Sequence, residues 1–436
     1  MTAGWRLALL AAAGAAMTGL TGAALAVLQA HATIAERDAG VLQATGLTFA
    51  AGLLWLGAVA AVRRGPLPHG GVWLVLAMAL AMRAQTLMTP PLLSSDIFRY
   101  IWDGRVQAAG ISPYRYVPAA PELAFLRDHA VFPHINRADS AVTVYPPAAE
   151  ALFAAAALGT PGIAGMRAVM AGFDLLAVGG LLLALRCAGR PLPEVLIYAW
   201  APLPVWEFAG NGHVDAVAAG ILPLVLLATA FERRMLAGAL LAAATLTKFL
   251  PGVVLPALWR RGDWRLPTAF VVTAAALYAP YVAAAGGGVA GFLPGYVAEE
   301  GIGSGRGIFV LQLAARIGAP PDWAAGTYVT AVLCGLGGLT LRAIVGVRPT
   351  DAAARLPTMA GHAVALAALL LVAISPHYPW YVGWLVPLLC LAPRGYALWL
   401  VAAAPLLVLG PIEHPGVATL VYAPVAVLAA LRQAHR

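Results

Sequence analysis

The densest chemistry in the chain lies in one run, SSDIFRYIWDGRVQAAGISPYRYVP, at residues 94–118. Read as a helix, it places Asp96, Arg99, Tyr100 and Asp103 at i, i+3, i+4 and i+7, on one face. A soluble amphipathic helix carries apolar residues at that spacing. Here Ile97, Phe98, Ile101 and Trp102 fill the other positions, so the helix is expected to lie in a membrane interface with its carboxylates turned to protein or water. Ser94 or Ser95 is its expected N-cap. Complementary groups recur at four other places: Tyr145-Pro146-Pro147, the Gly210-Asn211-Gly212-His213-Val214-Asp215 turn, Lys248 within TLTKFLP, and Ser375-Pro376-His377-Tyr378-Pro379-Trp380-Tyr381. Carboxylates beside cations and histidines can take a proton from a hydroxyl and neutralise a departing anion. Each fragment also has an ordinary structural reading: an ion-paired surface helix, a proline break, an interfacial aromatic belt. Their concentration at one boundary is what points to a site.

The elements that must position these groups cross a membrane. Of 436 residues 61% are apolar and 11% charged, with mean hydropathy +0.82, whereas an ordinary soluble domain is about 25% charged. The net charge of +8 comes from arginine, Lys248 being the one lysine, and the arginines sit between apolar runs, so the charge does not imply a nucleic-acid partner. No stretch without apolar runs is long enough for a soluble nucleotide-binding domain. Cys187, Cys334 and Cys390 stand far apart in or beside apolar runs and read as small hydrophobes.

A span needs about 20 apolar residues. Runs near 7–28, 41–62, 71–93, 163–186, 193–210, 214–231, 266–285, 323–345, 358–375, 380–393, 396–411 and 416–431 give an all-α polytopic bundle of about twelve spans. With the N-terminus inside, 16 of the 26 arginines fall on inner loops: Arg6, Arg63, Arg64, Arg186, Arg190, Arg233, Arg234, Arg260, Arg261, Arg265, Arg342, Arg348, Arg355, Arg394, Arg432 and Arg436. That excess sets the orientation. One complete crossing at 236–259 would invert every later loop, so a re-entrant hairpin is expected there, turning at Thr247-Lys248-Phe249-Leu250-Pro251. The chain is thus one membrane domain over 1–436: N-terminal spans 1–93, an outer loop 94–145, core spans 146–393 containing the hairpin, and C-terminal spans 394–436. Arg83 and Asp174 fall near mid-span and read as structural partners of one another. Arg167 and Glu207 lie nearer span ends.

The fragments SSDIFRYIWDGRVQAAGISPYRY, VYPP, EFAGNGHVDAVA, LTKFLPGVVLPALWRR and SPHYPWY resemble the bacterial polyprenol-phosphate-mannose-dependent mannosyltransferases and related membrane glycosyltransferases of the GT-C superfamily, over about residues 70–393. The most specific part is the D-x-x-R-Y-x-x-D-G-R spacing. The resemblance implies a helical bundle of the cytoplasmic membrane with an outward-facing catalytic loop. The implied donor is a polyprenyl-phosphate sugar, and the acceptor a glycolipid or glycan. Asp96 falls at the catalytic carboxylate, with Asp103 as second choice and His377 assisting. Arg99, Arg105, Lys248 and Tyr145 are then expected on the donor phosphate, and Tyr100, Trp102, His213, Asp215, Tyr378 and Trp380 on sugar or acceptor. Tyr381 is a further stacking candidate. No cofactor is required: Asp96, Asp103, Asp215 and His377 include donors for a hard cation, but a monophosphate leaving group lessens the need for one. Two readings of other classes stand beside this one. A transporter or flippase for a lipid-linked or anionic solute would place its polar groups at mid-bilayer, and a non-catalytic partner in envelope assembly would tolerate neutral replacement of Asp96 and His377.

Overall fold

A computed structural model describes residues 2–31, 37–68, 70–316, 318, 323–346, 349–412 and 414–434. Among these no strand occurs, and the long apolar runs are helical. The main helices are α1 (Ala3–Ala30), α2 (Arg37–Arg63), α3 (Gly71–Met88), α4 (Asp96–Ala108), α5 (Pro147–Gly159), α6 (Gly162–Cys187), α7 (Asp215–Ala230), α8 (Arg234–Lys248), α9 (Arg265–Ala285), α10 (Trp323–Val345), α11 (Ala352–Ile374), α12 (Gly395–Ala403) and α13 (Pro415–Ala434).

Among the described residues six segments are long and apolar enough to cross a bilayer, or seven if Pro204–Gly210 and α7, bent by 116°, make one broken span. The remaining expected runs form shorter helices. The run at 380–393, for example, is divided at Trp384 and Leu385 into two pieces of four and six residues. The apolar stretch after Tyr145 forms α5, which packs on α4.

Burial sorts the helices. In α7 every residue except Leu224 is buried, as expected for a helix apolar on all sides. By contrast α9 buries only Leu266 and Ala269. Inside the bundle, Arg83 Nε on α3 donates to Asp174 Oδ2 on α6 at 2.6 Å, and the Tyr198 hydroxyl donates to Asp174 Oδ1 at 2.7 Å. Arg83 also donates to the Ala199 carbonyl at 2.6 Å. Arg167 donates to the Thr86 carbonyl at 2.6 Å. These charges therefore tie α3, α6 and the 196–199 turn together.

Three of the arginines expected on inner loops, Arg234, Arg265 and Arg355, gather at one end. Arg234 Nη2 meets Glu232 at 2.8 Å, Arg265 meets Asp263 at 2.7 Å, and Arg355 pairs with Glu232. Arg348 and Arg436 lie outside the described residues. From this end α8 runs to Lys248, where Phe249 at φ +57° turns the chain. A return through Leu250–Val254 and Leu255–Leu258 brings the Leu258 carbonyl to 3.2 Å from Arg234. The outward arm has 15 residues, about 22 Å of helix against the ~30 Å of a hydrocarbon core. The chain thus leaves the basic end and comes back to it, and Lys248 marks the far tip.

Candidate active site

The site is built around the first turn of α4. The Asp96 N–H donates to Ser94 Oγ at 3.2 Å, so the cap comes from Ser94, and the Ser95 side chain makes no capping bond. The helix does not lie open in an interface. Ile97, Arg99, Tyr100, Ile101, Trp102, Asp103, Gly104 and Val106 are all buried, so the polar and apolar faces are both inside the protein. The 109–146 loop covers one side and α5 the other. Gly104 makes the α5 contact possible, since a Cβ there would sit 2.3 Å from the Phe153 carbonyl oxygen. Arg99 Nε donates to both Asp103 oxygens at 2.9 and 3.0 Å, and Nη1 donates to the Ala141 carbonyl at 3.0 Å. Asp103 therefore holds Arg99 from behind.

Opposite α4, Pro204–Gly210 is a π-helical turn, a widening often found where a chain must aim side chains at a site. It ends with the His213 N–H donating to the Glu207 carbonyl at 2.8 Å, and the Asn211 side-chain amide donating to Glu207 Oε2 at 3.0 Å. The buried His213 ring stands with Nδ1 3.7 Å from Asp96 Oδ2 and Nε2 3.4 Å from Glu207 Oε2. One face stacks on Trp380 at 4.1 Å between centroids, and Trp380 stacks in turn on Tyr378 at 4.6 Å. The Lys248 ammonium lies 3.3 Å from Asp215, 4.5 Å from the centre of the Tyr381 ring and 5.8 Å from that of Tyr145.

These elements enclose a cavity of about 520 Å³. Its charged lining residues are Asp96, Arg99, Arg137 and Lys248, three cations to one carboxylate, and its aromatic wall is Tyr145, Phe249, Phe292, Tyr296, Tyr378, Trp380 and Tyr381. Each cation is held by an acid that does not line the cavity: Asp103 for Arg99, Asp215 for Lys248, and Glu299 for Arg137 at 2.7 Å. Three cationic donors held in place at the wall of an otherwise largely apolar cavity suit an anionic ligand with a long apolar part. Burial pushes the Asp96 carboxyl above the usual carboxylate range, against the pull of Lys248 and Arg137. A carboxylate so placed is a stronger base than one in water.

Of the residues singled out in the sequence, Asp96, Arg99, Tyr145, Lys248, Tyr378 and Trp380 line this cavity, as does Tyr381. His213 and Asp215 stand directly behind Asp96 and Lys248. The rest point elsewhere. Arg105 pairs with Asp128 at 2.6 Å, because the 109–146 loop folds back along α4 and offers it a closer acid. Trp102 packs on Phe132 of the same loop. Tyr100 is the exception: its ring stacks on Phe153 at 4.6 Å between centroids, while its hydroxyl stays at the site, 3.5 Å from His213 Nδ1. His377 binds Glu300 at 2.6 Å and the Gly307 carbonyl at 2.9 Å, which fastens the 375–381 turn to the 293–309 segment.

Two contributors carried no sequence signal. Arg137 lies in a loop of mixed polarity, and Tyr296, whose hydroxyl is 2.7 Å from that of Tyr381, follows a glycine-rich stretch. Only the tertiary fold brings them to α4. Among the described residues no group of three or more His, Cys, Asp or Glu side chains stands close enough to hold a metal ion.

The alpha-(1->6)-mannopyranosyltransferase N-terminal domain (MptA_B family) matches residues 1–260. The matched part takes in α1 to α8 and ends after Lys248, so it includes Asp96, Arg99, Arg137, Tyr145, His213 and Asp215. No curated protein and no solved structure matches the chain. The match covers more than half of the 436 residues, and the chain, with several helices apolar enough to span a bilayer, belongs to this family of membrane mannosyltransferases.

Proposed function

We propose that the protein transfers mannose, with inversion, from a polyprenyl-phosphate donor to a hydroxyl of a glycolipid or glycan at the outer face of a bacterial cytoplasmic membrane. The observation that carries this reading is the cavity itself. One carboxylate, Asp96, faces three cations across a space walled by aromatic rings. A mannosyltransferase whose donor is a lipid phosphate needs those parts and no nucleotide site.

In this mechanism Asp96 accepts the proton of the acceptor hydroxyl as its oxygen bonds to the anomeric carbon. The bond from that carbon to the phosphate oxygen breaks on the opposite face, and polyprenyl phosphate leaves. Its second pKa is about 6, so neutralisation by Lys248, Arg99 and Arg137 suffices without a proton donor or a metal. Tyr378 and the edge of Trp380, whose faces are taken by His213 and Tyr378, line the space for the sugars. His213, with Nδ1 3.7 Å from Asp96 and Nε2 3.4 Å from Glu207, packs behind the base as a positioning residue. An inverting step that gives the alpha linkage of the family name requires a beta-linked donor, so an alpha-linked isomer should not react.

The orientation rests on the basic end. Arg234, Arg265 and Arg355 gather opposite the tip that carries Lys248, and arginine-rich ends face the cytoplasm. On this reading the 234–258 excursion is re-entrant, and the shorter apolar helices complete about twelve spans with the long ones. The transporter alternative loses its mid-bilayer groups, because Arg83 and Asp174 satisfy each other.

The test is transfer of labelled mannose from a synthetic polyprenyl-phosphate donor by the purified protein and its Asp96→Asn variant. Loss in the variant, with unchanged thermal unfolding, is expected. Retained turnover in Asp96→Asn removes Asp96 as the base, and wild-type transfer from GDP-mannose in the absence of any lipid donor removes the donor class.

A further inference from the structure

A second and larger cavity lies away from the active site, between α10, α11 and α13, with a volume of about 930 Å³. On α11 its wall is one stripe, from Pro357 and Thr358 through Gly361 and Ala365 to Val372. These residues recur every three to four positions over 15 residues, about 22 Å of helix. The facing wall on α10 combines the small residues Cys334, Gly335 and Gly338 with Leu339. The two helices are tied at one end, where the Tyr328 hydroxyl donates to the Ala373 carbonyl at 2.7 Å.

The other end of the groove is charged. Arg342, three residues from the C-terminus of α10, and Arg394, just before α12, line it with His362, and among the described residues its lining holds no Asp or Glu. This is the same end at which Arg234, Arg265 and Arg355 gather. The groove therefore has the form of an amphiphile: an apolar slot about one hydrocarbon chain long, closed at one end by two guanidiniums. The packing of α10 points the same way. Only 6% of its most apolar stretch is buried, so protein alone gives this helix little support along its length.

We propose that this groove is a binding site for one anionic phospholipid, with its phosphate on Arg342 and Arg394 and an acyl chain along the α11 stripe. Basic pockets between helices at the cytoplasmic end of a bundle recognise acidic head groups in this way, and paired guanidiniums favour a phosphate over a zwitterion. The lipid fills the space that α10 leaves against α11 and α13. The inference is independent of the catalytic reading, because none of these residues lines the active-site cavity.

The experiment compares full-length protein in detergent with added phosphatidylglycerol, phosphatidylcholine or inorganic phosphate, following thermal unfolding and bound lipid by native mass spectrometry. Phosphatidylglycerol is expected to raise the midpoint by several degrees and to remain as one bound molecule. The R342Q/R394Q variant is expected to lose both effects, and R342K/R394K, which keeps the charge, to retain at least half of the shift. Equal shifts with phosphatidylcholine, an equal effect of inorganic phosphate, or an undiminished effect in R342Q/R394Q would each overturn the proposal. So would a dimer that excludes lipid from the groove. A glutamine variant that unfolds before it can be assayed is replaced by R342Q alone, for which at least a tenfold weaker lipid retention is expected and undiminished retention is overturning.

Discussion

The Lys248 ammonium and the Asp215 carboxylate meet at 3.3 Å, and they join the last residue of α8 to the first residue of α7. Each charge suits its place, an anion at a helix N-terminus and a cation at a helix C-terminus. The pair thus does two things. It closes the contact between α7 and the tip of the 234–258 excursion, and it holds the ammonium against Tyr381 at the wall of the active-site cavity.

Lys248→Met should therefore fail in two separable ways. It leaves Asp215, which is fully buried, without its cation, and breaking a buried pair from one side costs about 3–5 kcal/mol. Adding Asp215→Asn removes the stranded charge, so K248M/D215N is expected to recover much of the lost thermal stability. Transfer stays lost in both variants, because the cation is gone from the cavity. A double variant that is stable and fully active would show that Lys248 serves the fold alone.

The pH profile tests Asp96. Its carboxyl is raised by burial against the opposing pull of Lys248 and Arg137. A base must be ionised to work, so kcat/KM is expected to fall as pH drops through this raised value, above the usual ~4 of an aspartate. Arg137→Gln removes one opposing charge and should shift that limb to higher pH. Stability moves the other way: a carboxyl raised in the folded state costs nothing below its unfolded value of ~4, costs more as pH rises from there, and has its full cost once pH is above its folded value. Asp96→Asn is accordingly expected to unfold no earlier than wild type at pH 8. An acidic limb that stays in place in Arg137→Gln would assign it to another group.

How far the sequence reveals this site depends on how local the information is. The i, i+3, i+4, i+7 face of α4 is a local pattern, and the helix starts at Asp96 as that pattern requires. The Arg83–Asp174 pair is legible for a different reason: an apolar span tolerates such groups only with partners, and few partners were on offer. What local reasoning missed was the 109–146 loop. It buries the apolar face of α4 that was expected to meet lipid, draws Arg105 to Asp128 and supplies Arg137 instead. Nothing in the spacing of Arg105 and Arg137 separates the two. The choice is made by the path of the loop, which no periodicity records. The interruptions of the C-terminal runs escape in the same way, since hydropathy averages over the break at Trp384 that divides the 380–391 helix.

That distinction can be measured. Arg105 is about a third exposed and its ion pair lies on the surface, where such pairs contribute about 0–1 kcal/mol. Arg105→Gln is expected to change neither transfer nor donor KM by more than about twofold, on the general scale of surface substitutions. Arg137→Gln should raise the donor KM about tenfold or more, the loss of one charge-assisted contact. Equal effects of the two substitutions would mean that the donor phosphate lies outside the cavity lined by Arg137.

A close backbone approach beneath α4 gives the last test. At Gly104 a Cβ would stand 2.3 Å from the Phe153 carbonyl oxygen and 3.0 Å from the Ala157 methyl. The first of these is main chain, so it cannot rotate away, and α4 and α5 must separate to admit even one methyl group. Overpacking of this kind costs about 1–3 kcal/mol. The larger effect is on geometry, because Asp96 and Arg99 ride on the same helix, roughly two turns and one and a half turns earlier. A displacement of about 1 Å at a reacting group can cost 10²-fold in rate. Gly104→Ala is therefore expected to insert and fold with near-normal helix content yet lose transfer by about that factor. Gly172→Ala, on α6 with no neighbour within 4 Å of its new methyl, is the matched control and should keep full activity. If Gly104→Ala also keeps it, the seating of α4 on α5 does not set the position of the base.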